Sequence, residues 1–221
     1  MPRTAFERQL TGLEEDLLVM ANLVETAIVR SIDALKNRDV ELAHRIIADD
    51  VRINERRYSI EENCLELMAT QQPLAGDLRT IVAALHITVD LERMADHAEG
   101  IAKIALMLAD EPPLKPYIDI PRMAEVANRM LMGAVEAFKH RDARAAREIC
   151  THDDEVDALY DQVYRELLTF MLQDPRTIQR ATWLLWVAHN LERIADRVTN
   201  ICERVVYLVE GHVQELNVSK Y

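Results

Sequence analysis

The sequence predicts an all-α fold of two tandem three-helix bundles, and three observations carry that expectation. Glycine is scarce at five residues and aromatics make up only 5%, while Ala, Leu, Glu, Arg and Met dominate, a composition that favours helix over sheet. All seven prolines fall where helices would begin or end: Pro2, Pro73, the cluster Pro112, Pro113, Pro116 and Pro121, and Pro175. Finally, the chain repeats itself. "ALKNRD" at 34–39 returns as "AFKHRD" at 137–142, and "LERMAD" at 91–96 returns as "LERIAD" at 191–196.

The first helix, expected over about 4–36, carries a heptad seam of Leu10, Leu13, Leu17, Met20, Val24, Ala27, Ser31 and Ala34. The second, about 39–70, places Ile46, Ile53, Ile60 and Leu67 seven residues apart. The third, about 75–109, repeats Ile87, Leu91, Met94, Ala98, Ile101, Ala105 and Leu108 until "DEPPLKPYIDIP" stops it. A fourth helix is expected over about 121–140. The fifth takes up the second helix's seam again with Ile149, Val156, Val163 and Phe170. The sixth, about 176–212, aligns Leu184, Val187, Leu191, Ile194, Val198, Ile201, Val205 and Leu208.

The two repeats are offset by 103 residues early and 100 late, because the turn "QQPLAGDLR" at 71–79 shrinks to "QDPR" at 173–176. Turns of a few residues force antiparallel neighbours. The units therefore run 1–109 and 121–221, with a proline-rich linker at 110–120.

Charge and hydropathy exclude several classes of function. Acidic side chains outnumber basic ones 38 to 26, a net charge of −12, which repels nucleic acid and anionic lipid. The first twenty residues hold no apolar signal core, and the most apolar later stretch, 101–109, is too short to span a bilayer and holds Lys103. A soluble, cytoplasmic protein without membrane insertion is expected. Cys64, Cys150 and Cys202, odd in number and far apart in sequence, read as small core residues of a reducing compartment. Trp183 and Trp186 read as core anchors of the sixth helix. No glycine-rich phosphate loop, nucleophile elbow or locally spaced Cys/His pair points to catalysis, so no catalytic residue is expected.

The informative residues are acids where a core is expected. On the third helix Leu78, Ile81, Leu85 and Val89 form a second apolar stripe, and Glu92 and Asp96 continue it. Glu192, Asp196 and Asn200 line one face of the sixth helix at a spacing of four. Like charges one turn apart repel by a few tenths of a kcal/mol in water and by more when desolvated. Asp50 lies between Ile46 and Ile53 on the second helix's seam, and Asp153 holds the same place between Ile149 and Val156; Asn54 and Asp157 follow one turn later. If these faces meet, each bundle gathers oxygen ligands, as carboxylate-bridged bundles do, and the natural occupants are divalent or trivalent ions: Mg, Mn, Fe or Zn. The plainer alternative is an ion-pair ladder, since Arg93 and Arg193 stand three residues before Asp96 and Asp196. His97 and His189 are the candidates to support the ligands from behind, and the plainer reading of them, as of the other histidines, is a solvated or satisfied side chain. None of His86, His97, His140, His152, His189 and His212 forms a Glu-x-x-His pair like those of the di-iron oxidases, and His44 reads as a solvated side chain.

"QQPLAGDLRTIVAALHITVDLERMAD" at 71–96, "HNLERIADRVTNICERVVYLVEG" at 189–211 and "ADDVRINE" in the second helix resemble the signatures of the PhoU family, over essentially the whole chain. The resemblance implies a homodimeric six-helix protein whose Glu-x-x-x-Asp motifs, here Glu92/Asp96 and Glu192/Asp196 with Asn200, bind metal in some members. It implies a non-enzymatic, cytoplasmic negative regulator of the phosphate-starvation response. Its partners would be the Pst phosphate transporter, through the ATPase or membrane subunit, and a sensor histidine kinase. Two departures stand out: Gly100 replaces the equivalent of Asn200, and alanine at 95 and 195 replaces the family's glycine, stiffening each helix by up to about 1 kcal/mol. The competing expectations are a metal-dependent hydrolase built on the same acids and a purely structural helical dimer.

Overall fold

The computed structural model describes residues 3–216, which are helical nearly throughout and contain no strand. Pro2 and the last five residues of the second unit lie outside the described residues. The helices are α1 (Arg3–Asn37), α2 (Val40–Gln71), α3 (Ala75–Leu108), α4 (Asp119–His140), α5 (Ala143–Cys150), α6 (Asp153–Gln173) and α7 (Ile178–Glu210), with a short 3₁₀ turn at Pro175–Thr177. The all-α class and the positions of the helices agree with the sequence expectation.

The seams go where their period sends them, except that Ala27, Ile149 and Phe170 are only half-buried. Leu13, Met20, Val24, Ile53, Ile60, Leu91, Met94, Leu191, Ile194 and Val198 are all buried in one continuous core. Burying a leucine or isoleucine side chain contributes about 1.5–3 kcal/mol, so these seams dominate the stability. α3 lies against α1, α2 and α7, while α7 also packs against α4, α5 and α6. α3 and α7 therefore form the spine. They run antiparallel, because His97 of α3 meets Asn190 of α7 and Asp90 of α3 meets Asn200 of α7.

The repeat extends to the turn chemistry. Arg38 and Arg141, at matching places, take left-handed backbone with φ of 54° and 53°. The next residue caps the following helix: Asp39 accepts from the Leu42 N–H at 2.8 Å and Asp142 from the Ala145 N–H at 2.9 Å. The linker is tied down: Lys115 is buried between Asp119 and Glu166, and Arg180 pairs with Glu111 at 3.0 Å and donates to the Pro112 carbonyl at 3.1 Å.

Three expectations are corrected. The fifth helix is not continuous but breaks at Thr151 and His152 into α5 and α6. There the Thr151 hydroxyl donates to the Glu148 carbonyl at 2.7 Å, and the Thr151 and His152 N–H groups reach back only three residues, so the α ladder tightens and stops. Trp186 is 57% exposed rather than a core anchor, since Leu184, Val187 and Leu191 occupy the inward face; Trp183 is half-buried. The second stripe of α3 buries Ile81 but leaves Leu78 and Val89 exposed.

Candidate metal centre

The hairpin of α2 and α3 brings the first set of acids together. Asp50 is half-buried, and its carboxyl is raised above the usual range by burial first, then by Glu99, Asp96 and Glu92; a hydrogen bond from Asn54 (2.7 Å) opposes this. Asp50, Asn54, Glu92 and Asp96 thus share one neighbourhood, and Glu99 joins them. Arginines stand among them. Arg57 donates to Glu92 and to Glu61, both at 2.8 Å, and Arg93 lies 3.5 Å from Glu92 and 3.2 Å from Asp96. Glu92 is buried, and its Oε2 accepts no hydrogen bond.

The second set lines an open cleft of about 1050 Å³ between α6 and α7. Asp153, Asp157, Glu192, Asp196 and Asn200 all border it, together with Asp154, Asp161, Tyr160 and Tyr164. Asp153 is almost wholly buried. Burial pushes the Asp196 carboxyl up to about 6; Glu192 and Asp157 add to the rise, while Arg193 and Arg197 oppose it. Arg193 grips both oxygens of Glu192 at 2.7 Å and lies 3.1 Å from Asp196, while His189 Nδ1 stands 3.6 Å from Glu192. The acids therefore share one neighbourhood in each repeat, and arginines neutralise them in part. Among the described residues no three acidic, histidine or cysteine side chains close on a single point as a finished chelate would.

Asn200 faces a second neighbour. Its amide donates to Asp90 of α3 at 3.2 Å, and Arg197 approaches the same oxygen at 3.4 Å. Burial raises the Asp90 carboxyl, and Asn200, Arg197 and Arg204 oppose the rise. His97 does not stand behind the ligands: its Nδ1 pairs with Asn190 at 2.8 Å, and burial lowers its basicity. The repeat relates His97–Asn190 to Arg197–Asp90, and it matches Gly100 to Asn200; a Cβ on Gly100 would sit 3.5 Å from Asn190.

Sequence reasoning missed Asp90, Glu99, Asp154 and Asp161. Glu99 follows Asp96 by three and Asp161 follows Asp157 by four, so extending each acidic face by one turn finds both. Asp90 sits inside the seam three residues after Ile87, the same signal that marked Asp50.

The PhoU domain model matches residues 17–105 and again 120–205. The chain belongs to the PhoU family. A phosphate-specific transport system accessory protein PhoU homolog from Aquifex aeolicus is 44% identical over 206 residues, covering 93% of each chain. The Clostridium acetobutylicum homolog is 37% identical, covering 98% of this chain and 100% of that one. The crystal structure of PhoU from Pseudomonas aeruginosa superposes with a TM-score of 0.89 at 35% identity, over 94% of this chain and all of that one. No described helix is long and apolar enough to cross a membrane.

Proposed function

We propose that this PhoU-family chain is a non-enzymatic accessory protein of phosphate-specific transport, a negative regulator that docks onto the transporter and a sensor histidine kinase. The observation that carries the reading is membership of one family over nearly the whole chain, with curated relatives named for the phosphate-specific transport system. Its acids are read as metal-binding. Asp50, Asn54, Glu92 and Asp96 would hold a cation in the first repeat, and Asp153, Asp157, Glu192, Asp196 and Asn200 in the second. The donor set suits a divalent or trivalent ion such as Fe, Zn, Mn or Mg, because every donor is oxygen. Two features of the molecule support a cation: the buried Glu92 Oε2, which accepts no hydrogen bond though Arg93 lies 3.5 Å away, and the burial that, with Glu192 and Asp157 beside it, raises Asp196. A bound ion would offset the mutual repulsion that the arginines cancel only in part.

Equilibrium dialysis with metal analysis on the wild type and on Glu192→Ala/Asp196→Ala tests the metal reading. The double variant loses the ions of the second repeat; equal metal content in both proteins defeats it. Deletion of the gene leaves phosphate-responsive transcription switched on in phosphate-rich medium, and unchanged repression in the deletion strain rejects the regulatory reading.

A further inference from the structure

We infer that the α6–α7 face is a docking surface for a partner's helical segment that is apolar along most of its length and basic at one end. The inference rests on the docking reading above and names the surface and the chemistry it selects.

One ring contact between the helices sets the register of the hairpin, and a second, within α7, places Trp186 beside it. Tyr160 of α6 lies 6.3 Å from His189 of α7 between ring centroids, and Trp186 meets the same imidazole edge-on at 6.2 Å. The helices are antiparallel, so each turn along α6 meets one turn back along α7. Tyr164 thus comes beside Leu185 and Trp186, Leu168 beside Thr182, and Leu172 beside Ile178. Tyr164, Leu168, Leu172, Ile178 and Trp186 are all exposed, Leu172 at 77% and Trp186 at 57%. From Tyr160 to Leu172 the strip runs roughly 18 Å along the helix. Five exposed apolar side chains along one hairpin, a tryptophan among them, are the anatomy of an interface anchor rather than of ordinary solvated surface.

Beyond Tyr160 the same face turns acidic. Six carboxylates, Asp153, Asp154, Asp157, Asp161, Glu192 and Asp196, border the cleft against two guanidiniums, Arg193 and Arg197. The charge selects the occupant. Anionic lipid and nucleic acid are repelled by this end and by the net charge of −12. The equivalent stripe of a second copy does not match it, because Leu78 and Val89 of α3 run into Glu92 and Asp96. A helix with leucine-like residues for the strip and arginine or lysine for Asp154 and Asp161, which lie outside the set read as cation ligands, satisfies both halves.

The probe is a synthetic helix of about 18 residues with a leucine face and arginines at one end, together with a control carrying glutamate in place of arginine. The protein carries Trp183→Phe, which leaves Trp186 as its one indole. The expected result is a saturable blue shift of Trp186 emission with the arginine peptide, weakened about tenfold by Leu168→Glu/Leu172→Glu and absent with the control. No shift, an equal shift with the glutamate peptide, or a shift produced by anionic vesicles overturns the proposal. So does Trp186 burial that follows protein concentration and dimer formation in sedimentation. Complementing the deletion strain separates this proposal from the reading beneath it. If deletion derepresses and Leu168→Glu/Leu172→Glu still restores repression, the surface fails alone; if deletion changes nothing, the regulatory role fails whatever the peptide does.

Discussion

Cys150 and Cys202 are distant in sequence, yet both are buried, on α5 and α7, and Cys150 bears on the Cys202 thiol. That neighbour, then burial, holds the Cys202 thiol far above its ordinary range. Cys64, alone in the first repeat, is pushed up to about 12 by burial and then by Glu61. A thiol raised in the fold favours the protonated native state. Its contribution is complete below the unfolded thiol pKa of about 8.5 and fades as pH climbs to about 12. Iodoacetamide at about pH 8 therefore leaves Cys64 unmodified in native protein and alkylates it promptly in urea, followed by mass spectrometry; equal rates in the two states refute this. At this scale the acids were legible because each broke an apolar period twice, in equivalent places. Their neighbours were not. Nothing local tells Asn200 that its amide meets Asp90 on another helix.

Element boundaries were the most legible feature, because prolines, caps and seams agree on them. Gln72, Arg38 and Arg141 end their helices in left-handed backbone without glycine, at a steric cost of about 1–2 kcal/mol each that the surrounding turns must outweigh. The break at Thr151 was illegible, since no proline or glycine marks it. Gly100 exposes the asymmetry between the repeats. It lies inside α3, where glycine costs about 1 kcal/mol relative to alanine, and an added Cβ meets Asn190 only at ordinary contact distance. Gly100→Ala should raise stability by up to about 1 kcal/mol in urea unfolding. A loss of that size would show that the close approach of Asn190 needs the bare backbone.

The repeats share their longest interface, α3 on α7, and α1 also packs on α4. Leu91, Met94, Ala98, Leu191, Ile194 and Val198 are buried on this spine, so opening either repeat exposes apolar surface of the other. Scanning calorimetry should accordingly give one transition with matching calorimetric and van't Hoff enthalpies, and two resolved transitions would mean the halves unfold independently. The order of helices, the duplication and the acidic faces follow from the sequence alone, because period, caps and prolines act within a few residues. Only the tertiary structure decides which arginine reaches which acid, that Trp186 stays outside, and that the strip of α6 and α7 ends in a cleft of carboxylates. Those outcomes depend on how helices far apart in sequence cross, and on a competition between burial and charge that no single helix contains.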